Sequence, residues 1–523
     1  MSDANSVGSA PRQRPTLTKI VATIGPASDS PEIVEKLIEA GVAVFRLNFS
    51  HGELEDHARR LGTIRAAAVK LGQPVGVLGD LQGPKIRVGK VADPGIMLEA
   101  GQDVVFDPRG AGELPTSAMA ATGTVCLPTE YPSLGKEVSV GHRVLVNDGA
   151  IRLLAVDRGT GDEPDWLRCR VMSGGLVTSR KGINLPDSDV KAAAITERDW
   201  ACVEWAVAHG LDFLALSFVR RAEEVRELKR ALAGMCPSEF AVEYTGVGAL
   251  IPVVAKIEKP QALEEIDAII EASDAVMVAR GDLGVEMDLA QVPLIQKHLI
   301  AKCGEWGKPC IVATQMLESM IVSPSPTRAE ASDVANAVLD GADAVMLSAE
   351  TAAGKHPLLA VETMRRIAAA AEERVALSMT QPSPAARITK SRYRTGALAH
   401  GAWHVATDVG ARVVACWSQE GGAARYLSQA GFAIPIIAYS NSDRQVRRMA
   451  LLRGVTARLM RVPTSGTLRE WNQMVEADLR ELGWIKDGDP VVLVAGKPLG
   501  IKGAANTITI HYTGNKATGF MAH

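Results

Sequence analysis

Charged side chains end a series of short apolar runs in this sequence, and two of them are carboxylates that suit a divalent cation. Glu258 ends the run IPVVAKIE, and Asp282 ends the next run, AVMVARGD. Two carboxylates leave coordination positions open for water and substrate oxygens, as Mg²⁺ or Mn²⁺ sites in phosphate chemistry require. The alternative is that the two acids only form ion pairs with Lys256 and Arg280, which precede them in the same runs.

The cations around these acids suit a phosphoryl group. Lys256 precedes Glu258 by two residues on a strand, so both side chains point the same way and the lysine adds a positive charge beside the metal. Arg46 and Arg87 could each bind a phosphate through two hydrogen bonds, and Thr314 offers a neutral hydroxyl for a proton or a carboxylate. Neutralising phosphate charge with a metal ion and cations is the main requirement of phosphoryl transfer.

These residues need a scaffold that brings many strand ends to one place. From Thr18 onward, apolar runs alternate with amphipathic segments, and eight runs are apolar on both faces, as buried parallel strands are. Ser30 and Gly41 bound one intervening helix, and Thr327 with Glu330 forms a capping box at another. Eight βα units predict an α/β protein with a TIM barrel, whose active site lies at the carboxyl ends of the strands. The eight runs are KIVATIG, VAVFRLNFS, VGVLGDLQ, DFLALSF, IPVVAKIE, AVMVARGD, CIVATQM and AVMLSAE.

Two regions depart from the barrel pattern. The connection after the third run is rich in Gly, Pro and Asp, and its Asn147-Asp148-Gly149 is typical of a hairpin turn, so we predict a small inserted β-barrel lid. After the eighth run, a polar linker leads into new αβ units, which predict an open α/β domain. The predicted bounds are 1–15 for a disordered tail, 16–87 and 186–365 for the barrel, 88–185 for the lid, and 366–523 for the C-terminal regulatory domain.

Bulk composition argues against several classes of protein. A chain of 523 residues with 47% hydrophobic content can build about two to four domains. A formal net charge of −3 without a long basic run argues against nucleic-acid or membrane binding. Seven scattered cysteines without a CxxC pair indicate reduced thiols. Because neither a membrane span nor a signal core is evident, we expect a soluble cytoplasmic protein.

Several longer motifs resemble the pyruvate kinase family. They occur in the family's order between Thr18 and Arg365, and the C-terminal region resembles the family's regulatory domain in layout and more weakly in sequence. The resemblance implies the same arrangement of barrel, lid and C-terminal domain. The motifs are KIVATIGPAS, FRLNFSHG, KGINLP, AKIEKP, MVARGDLGVE, ATQMLESM and the highly specific PTRAEASDVANAVLDGADAVMLSAET.

The resemblance also implies a reaction, the transfer of the phosphoryl group of phosphoenolpyruvate to ADP, and assigns residues to it. Glu258 and Asp282 would hold the divalent ion, and Lys256 would stabilise the phosphoryl group during transfer. Arg46 would bind the phosphate of phosphoenolpyruvate, and the backbone of Gly281 with the side chain of Thr314 would anchor its pyruvate part. Lys256 and Asp282 would also contact the substrate, Asp282 through the metal ion that it holds. The residues that match the nucleotide side are Asn48, His51, Arg87 and Lys181.

Two other classes of function share parts of this pattern. A metal-dependent lyase or aldolase that acts on a pyruvate enolate could use the same barrel, acid pair and lysine. Such an enzyme would not need Arg87, Lys181 and a hinged lid for a nucleotide. A non-catalytic metabolite sensor is the other alternative, but it would be expected to lack one of the chemical groups, and none is missing.

The stretch Gly79–Val88, GDLQGPKIRV, departs from the usual family pattern. Many pyruvate kinases hold K⁺ beside the transferring phosphate, and their usual glutamate is replaced here by Lys85. An ammonium group could supply the charge of K⁺, and Leu81, Gln82 and Val88 accompany lysine in K⁺-independent members. We therefore predict that K⁺ is not required; the alternative is a surface lysine. The residues that match the K⁺ site are Asn48, Ser50, Asp80 and the backbone of Leu81.

The C-terminal domain offers two loops for a regulatory ligand. The stretch WSQEGGAARYLS keeps a glycine pair that could bind an anion, but it lacks most of the family's hydroxyls and carries Glu420. The second loop, GKPLGIKG, offers Lys497 and Lys502. We therefore predict a monophosphate effector rather than fructose 1,6-bisphosphate; the alternative is that both loops are only surface turns and that the enzyme is unregulated there. The resemblance also implies a homotetramer, with PTRAEASDVANAVL at one subunit interface. The candidate effector residues are Ser418, Gly421, Gly422, Lys497 and Lys502.

Overall fold

The computed structural model describes most of the chain. The described residues are 16–108, 124–159, 166–235, 251–377, 394–497, 499–500 and 505–514. The predicted tail at residues 1–15, most of the predicted linker and Lys502 lie outside these ranges. Each helix in the described ranges is too short or too polar to cross a membrane.

The described residues contain 21 strands, numbered here in chain order, and helices between them. The strands are β1 (Lys19–Thr23), β2 (Val42–Asn48), β3 (Gly76–Asp80), β4 (Ile96–Leu98), β5 (Asp103–Asp107), β6 (Val125–Pro128), β7 (Arg143–Val146), β8 (Ile151–Arg158), β9 (Leu167–Ser173), β10 (Gly175–Val177), β11 (Ile183–Asn184), β12 (Phe213–Leu216), β13 (Val253–Ile257), β14 (Ala275–Ala279), β15 (Cys310–Ala313), β16 (Ala344–Leu347), β17 (Val413–Trp417), β18 (Ile436–Ser440), β19 (Val455–Leu459), β20 (Pro490–Gly496) and β21 (Ala505–Tyr512). The α-helices are Pro31–Ala40, Leu54–Leu71, Leu134–Glu137, Glu197–Ala208, Ala222–Gly234, Ile266–Ala272, Arg280–Glu286, Val292–Trp306, Arg328–Leu339, Ala349–Ala352, Pro357–Leu377, Arg394–Asp408, Gly422–Gln429, Asp443–Met449 and Leu468–Glu481. The 3₁₀ helices are Pro260–Leu263, Leu289–Gln291 and Glu318–Ile321.

Eight parallel strands close into the predicted barrel. Their order around it is β1-β16-β15-β14-β13-β12-β3-β2, and each strand comes from one of the eight apolar runs. The barrel interior is filled largely by aliphatic side chains and Met, among them Val21, Leu78, Val254 and Met277, which are fully buried. The TIM barrel is therefore confirmed, and its interior is a packed core that leaves only the strand ends for chemistry.

Local capping signals set the helix bounds as the sequence predicts. Ser30 Oγ accepts a hydrogen bond from the Ile33 N–H, and the helix Pro31–Ala40 ends at Gly41, whose φ is 114°. The capping box of Thr327 and Glu330 is complete at the start of Arg328–Leu339. Each cap satisfies backbone groups that the helix leaves unpaired, so these residues fix where the helix begins or ends.

The connection between β3 and β12 forms the predicted lid. Its strands form a six-stranded sheet in the order β11-β7-β8-β9-β5-β6 and a two-stranded sheet, β10-β4. Arg87 pairs with Gly182 beside β11, and Val88 pairs with Thr129 beside β6, so one short segment bridges both edges of the larger sheet. The turn at residues 147–149 has positive φ angles of 55°, 52° and 81° and joins β7 to β8, which confirms the hairpin.

The last five strands form the predicted open α/β domain. Their order is β19-β18-β17-β20-β21, with only β21 antiparallel to its neighbour. Because β18 and β20 lie on opposite sides of β17, the carboxyl ends of β17 and β20 lie side by side at a topological switch point, where open α/β sheets bind ligands. Two contacts at the amino ends of the barrel strands connect this domain to the barrel. Arg447 pairs with Asp212 at 2.9 Å, and Gln429 donates to Asp343 at 2.7 Å.

Candidate active site

A buried network of opposite charges lies at the carboxyl ends of β2, β3 and β13. Arg46 Nε donates to Asp80 Oδ2 at 2.7 Å. Lys256 Nζ lies 3.2 Å from Asp80 Oδ1 and 2.9 Å from Glu258 Oε1. Asp80 and Glu258 are 1% and 2% exposed, so the cations are needed to keep these acids ionised away from water. The fold therefore brings together side chains from three separate strands of the barrel.

Mutual attraction fixes the charge of Lys256 and Asp80. Burial by itself would lower the pKa of Lys256, but Asp80 and Glu258 outweigh it and hold that pKa well above 10.5. Burial would likewise raise the pKa of Asp80, but Lys256 and Arg46 hold it below 3.8. Both groups are therefore charged near neutral pH, and Lys256 is a permanent cation at the base of the site.

Glu258 and Asp282 are arranged so that a divalent cation would relieve their repulsion. The pKa of Glu258 is raised to about 7, because burial and the nearby charge of Asp282 outweigh the opposing attraction of Lys256. The Phe218 N–H fixes the carboxylate by donating to Glu258 Oε2 at 2.6 Å. Asp282 is partly exposed in the first turn of Arg280–Glu286. A cation placed near both acids would favour their ionised forms, so the pair fits a divalent ion.

The described residues offer a metal few protein ligands. They contain no cluster of three or more His, Cys, Asp or Glu side chains that could hold an ion. Two carboxylates with substrate and water oxygens match Mg²⁺, which keeps several waters and binds through one or two acids.

The alternative, in which Glu258 and Asp282 only form ion pairs with Lys256 and Arg280, holds for Glu258 and not for Asp282. Glu258 does pair with Lys256, as that alternative requires. Arg280 instead points to the neighbouring helix, where its NH1 lies 2.7 Å from Asp333 Oδ1, and its NH2 donates to Thr314 O at 2.9 Å. Arg280 therefore braces the loop after β15 and does not neutralise Asp282.

The two residues predicted to anchor pyruvate touch each other. The Gly281 N–H donates to Thr314 Oγ1 at 2.7 Å, and the Thr314 hydroxyl donates to Ala313 O at 2.6 Å. Thr314 and Gln315 have φ angles of 68° and 54°, in the left-handed region that costs a non-glycine residue about 1 kcal/mol or more. A Cβ at Gly281 would lie 3.3 Å from Thr314 Oγ1, so glycine permits this close approach. Strain of this kind is typical of functional loops.

The predicted nucleotide residues lie in two groups. Asn48 ends β2, where its Oδ1 accepts from the Ser50 N–H at 3.2 Å, and His51 follows as an exposed residue. Arg87 and Lys181 lie on the two facing segments that connect the barrel to the lid: Arg87 pairs with Gly182, and Lys181 O accepts from the Val88 N–H at 2.8 Å. A molecule bound by both groups would span the cleft between barrel and lid.

Lys85 lies at the junction of barrel and lid. A Cβ added to Gly182 would lie 3.0 Å from Lys85 Cε and 3.7 Å from its Nζ, so the lysine packs against the lid connection. Lys85 is half-buried, which differs from a side chain extended into solvent. Two of the residues that match the K⁺ site make contacts within the protein. Asp80 belongs to the charge network, and Leu81 O accepts from Ser217 Oγ at 2.6 Å. The substitution of K⁺ by Lys85 stays a prediction.

Sequence reasoning missed three contributors to the charge network. Ser217 Oγ accepts from Lys256 Nζ at 2.7 Å, and Thr23 Oγ1 accepts from Arg46 NH1 at 3.1 Å. Both hydroxyls follow or end barrel strands, the same signal that identified the other residues, so the sequence carried enough information to find them. The Phe218 N–H at Glu258 carries no such signal, because it depends on a backbone φ of 53°.

The two candidate effector loops are neighbours, as β17 pairs with β20 up to Cys416 and Val494. Ser418 is 2% exposed, and its Oγ accepts from the Ala424 N–H at 3.1 Å, so this hydroxyl caps the helix Gly422–Gln429. The bend that follows places Gly421 at a φ of 79°. Lys497 is exposed on the adjacent loop. A phosphate there would depend on backbone N–H groups and lysine more than on Ser418.

Comparison with known proteins finds matches to both the barrel and the C-terminal domain. The family model described as pyruvate kinase, barrel domain, matches residues 16–361, and the one described as pyruvate kinase, alpha/beta domain, matches residues 396–511. The chain is 40% identical to a pyruvate kinase of Mycobacterium intracellulare over 95% of this chain and 98% of that one. It is 41% identical to one of Methylorubrum extorquens over 96% and 98%. A crystal structure of a pyruvate kinase from Cryptosporidium parvum has a TM-score of 0.83 and 34% identity, covering 95% of this chain and 96% of that one.

Proposed function

This chain belongs to the pyruvate kinase family, and we propose that the charge network at β2, β3 and β13 is the centre at which it transfers a phosphoryl group from phosphoenolpyruvate to ADP. The observation that carries the assignment is Lys256, a buried cation 2.9 Å from Glu258 and next to the acid pair. An assay for ATP formed from phosphoenolpyruvate, ADP and Mg²⁺ tests it. A lyase or aldolase would form no ATP, and a sensor would turn nothing over.

Glu258 and Asp282 are the proposed ligands of the divalent ion. When bound, Mg²⁺ or Mn²⁺ supplies charge neutralisation for phosphate and enolate oxygens. The protein contributes two orientated carboxylates, one buried and fixed by Phe218 and one partly exposed on a helix. This difference suits a site that must keep one side open to substrate.

The remaining roles are proposed from the family resemblance, and the chemistry of each side chain fits its role. Arg46 offers a planar cation whose position Asp80 fixes, and it would bind the phosphate of phosphoenolpyruvate. Lys256 would face the phosphoryl group as negative charge shifts during transfer. Gly281 and Thr314 would hold the pyruvate part, with the Thr314 hydroxyl near the path by which the enolate gains a proton.

The lid is proposed to close the site over the nucleotide. Arg87 and Lys181 lie on its two connections, so movement of the lid would carry them toward or away from Asn48 and His51 on the barrel. Closure would exclude water, which would otherwise accept the phosphoryl group in place of ADP.

We predict that activity does not require K⁺, because Lys85 supplies a fixed positive charge. Replacing K⁺ by a bulky inert cation at constant ionic strength should change kcat less than ~10-fold, which corresponds to 1.4 kcal/mol. Lys85→Glu should impair the enzyme and make it respond to K⁺. Lys90→Glu makes the same charge change at an exposed lid residue and should do neither. Strong K⁺ activation of the unmodified protein would rule out the idea.

A monophosphate is the proposed effector, at the switch point between β17 and β20. Glucose 6-phosphate, ribose 5-phosphate or AMP should lower the half-saturating concentration of phosphoenolpyruvate by about fivefold. Lys497→Ala should remove that response, whereas Lys486→Ala, at another exposed lysine of the same domain, should not. Saturation curves with each compound and with fructose 1,6-bisphosphate measure the effect. A response to the bisphosphate alone, or to none of the four compounds, contradicts the proposal.

The homotetramer, the cytoplasmic location and the domain bounds stay predictions. The proposed subunit interface includes the helix Arg328–Leu339, on which Leu339 is 48% exposed in the single chain. Sedimentation of the purified protein would measure the oligomeric state directly.

A further inference from the structure

One buried carboxylate links the lid to both proposed metal-ligand elements. Glu286 is 1% exposed, and its Oε1 accepts from Lys259 Nζ at 2.5 Å and from Asn184 Nδ2 at 2.8 Å. Lys259 directly follows Glu258, and Asn184 ends β11 of the lid. Glu286 itself ends the helix whose first turn carries Asp282. Three separate parts of the proposed site therefore meet at one oxygen atom.

A second part of the lid approaches the same helix closely. A Cβ added to Gly149, in the turn between β7 and β8, would lie 3.5 Å from Val285 Cγ1. Asp282 and Glu286 are four residues apart, so they lie on one side of the helix. The helix that presents Asp282 to the proposed metal site is thus also the surface on which the lid rests.

The chemistry of Glu286 suits a contact that opens and closes. A buried carboxylate needs a cation, and Lys259 supplies one from the barrel side whether or not the lid is present. Departure of the lid would remove the Asn184 hydrogen bond from Glu286 and leave this ion pair in place. Among the residues that the structure describes, Glu286 Oε2 has no hydrogen-bond partner, so both donors share Oε1. When the lid opens, the Lys259–Glu286 ion pair can therefore remain, whereas the Asn184 hydrogen bond would break.

We propose that Glu286 is a positioning residue that latches the lid, through Asn184, onto the helix of Asp282. The proposal rests on the proposed function, because closure matters to catalysis only if the lid covers the nucleotide. A hydrogen bond to a charged acceptor shifts such an equilibrium by about 10- to 100-fold. Loss of the latch should therefore open the lid without altering the barrel network of Lys256.

Asn184→Ala is the sharpest test, since it removes the hydrogen bond from the lid to Glu286 and leaves the Lys259–Glu286 ion pair. Trypsin should cut the lid connections, at Arg180 and Lys181, about 10-fold faster in this variant, with or without Mg²⁺, phosphoenolpyruvate and ADP. KM for ADP should rise about 3- to 10-fold, more than KM for phosphoenolpyruvate. Asp103→Asn is the matched control: it removes the charge of Asp103, which pairs with Arg170 inside the lid at 2.5 Å, and should leave both readouts unchanged.

A second variant, chosen to limit misfolding, tests whether Glu286 and Asn184 act through the same contact. Glu286→Gln keeps the shape of the residue, and its effect combined with Asn184→Ala should be smaller than the product of the single effects, as for one shared contact. Unchanged cleavage rates and an unchanged KM for ADP in Asn184→Ala would overturn the latch, even if its thermal stability fell. The cleavage comparison does not depend on turnover, so a protein that made no ATP would contradict the proposed function while the latch was still measured.

Discussion

Replacing Asp282 by alanine is expected to lower kcat by about a thousandfold, or roughly 4 kcal/mol in the barrier. Asp282 is one of only two proposed protein ligands of the divalent ion, and Glu258 alone, paired with Lys256, would hold the ion poorly. Initial rates over a wide range of Mg²⁺ concentration measure the loss. Mn²⁺ binding, followed by electron paramagnetic resonance, should weaken in parallel.

Asp288→Ala is the matched control for that variant. Asp288 lies six residues further along, and its Oδ1 accepts from the Ala290 N–H at 3.0 Å at the start of a 3₁₀ turn. Its removal should cost about 1 kcal/mol of stability and leave kcat unchanged. Near wild-type turnover of Asp282→Ala at moderate Mg²⁺ would show that the metal site has been assigned to the wrong residue.

Lys256→Met is expected to lower kcat by about a thousandfold while KM for phosphoenolpyruvate changes by less than about threefold. The ammonium group is proposed to act on charge that grows during phosphoryl transfer, and an interaction made in the transition state appears in kcat. Steady-state kinetics at saturating Mg²⁺ separate the two constants. A variant with only a raised KM would make Lys256 a ground-state binding residue.

The same variant also disturbs the buried network, and this effect can be measured separately. Without Lys256, Asp80 keeps Arg46 at 2.7 Å, but Glu258 loses its ion pair, which for a buried acid costs about 3–5 kcal/mol. We therefore expect a lower melting temperature, partly restored by Mg²⁺ if the ion binds Glu258. Lys302→Met removes a lysine that pairs with Asp267 and Glu305 on the outside of the barrel and should leave kcat intact.

The architecture could be predicted from local sequence patterns. Short runs that are apolar on both faces, separated by amphipathic segments, indicate strands covered by helices. The capping residues Ser30 and Thr327 mark where two of these helices begin. Asn147-Asp148-Gly149 specifies its hairpin because these residue types tolerate positive φ angles. Such signals need only a few neighbouring residues, so all eight barrel strands, the lid hairpin and the C-terminal sheet follow from them.

The residue types at the carboxyl ends of the barrel strands could be predicted as well, and so could the ion pair between Lys256 and Glu258. Polar residues at the carboxyl ends of barrel strands must meet, because parallel strands end on the same face. Lys256 and Glu258 share one side of a strand, and their contact of 2.9 Å follows from that spacing. Applied to every strand, the same rule would also have identified Ser217 and Thr23.

Only the tertiary structure decided which partner each charged group takes across the fold. Arg280 could have paired with the adjacent Asp282, yet it contacts Asp333 on another helix, and Lys85 packs on Gly182 of the lid. Glu286 meets Asn184 across 102 residues of chain. An ion pair depends on a separation of a few ångströms in space, which is set when the barrel closes and the lid docks. Residue types and their periodicity specify strands and helices, but they do not specify that distance.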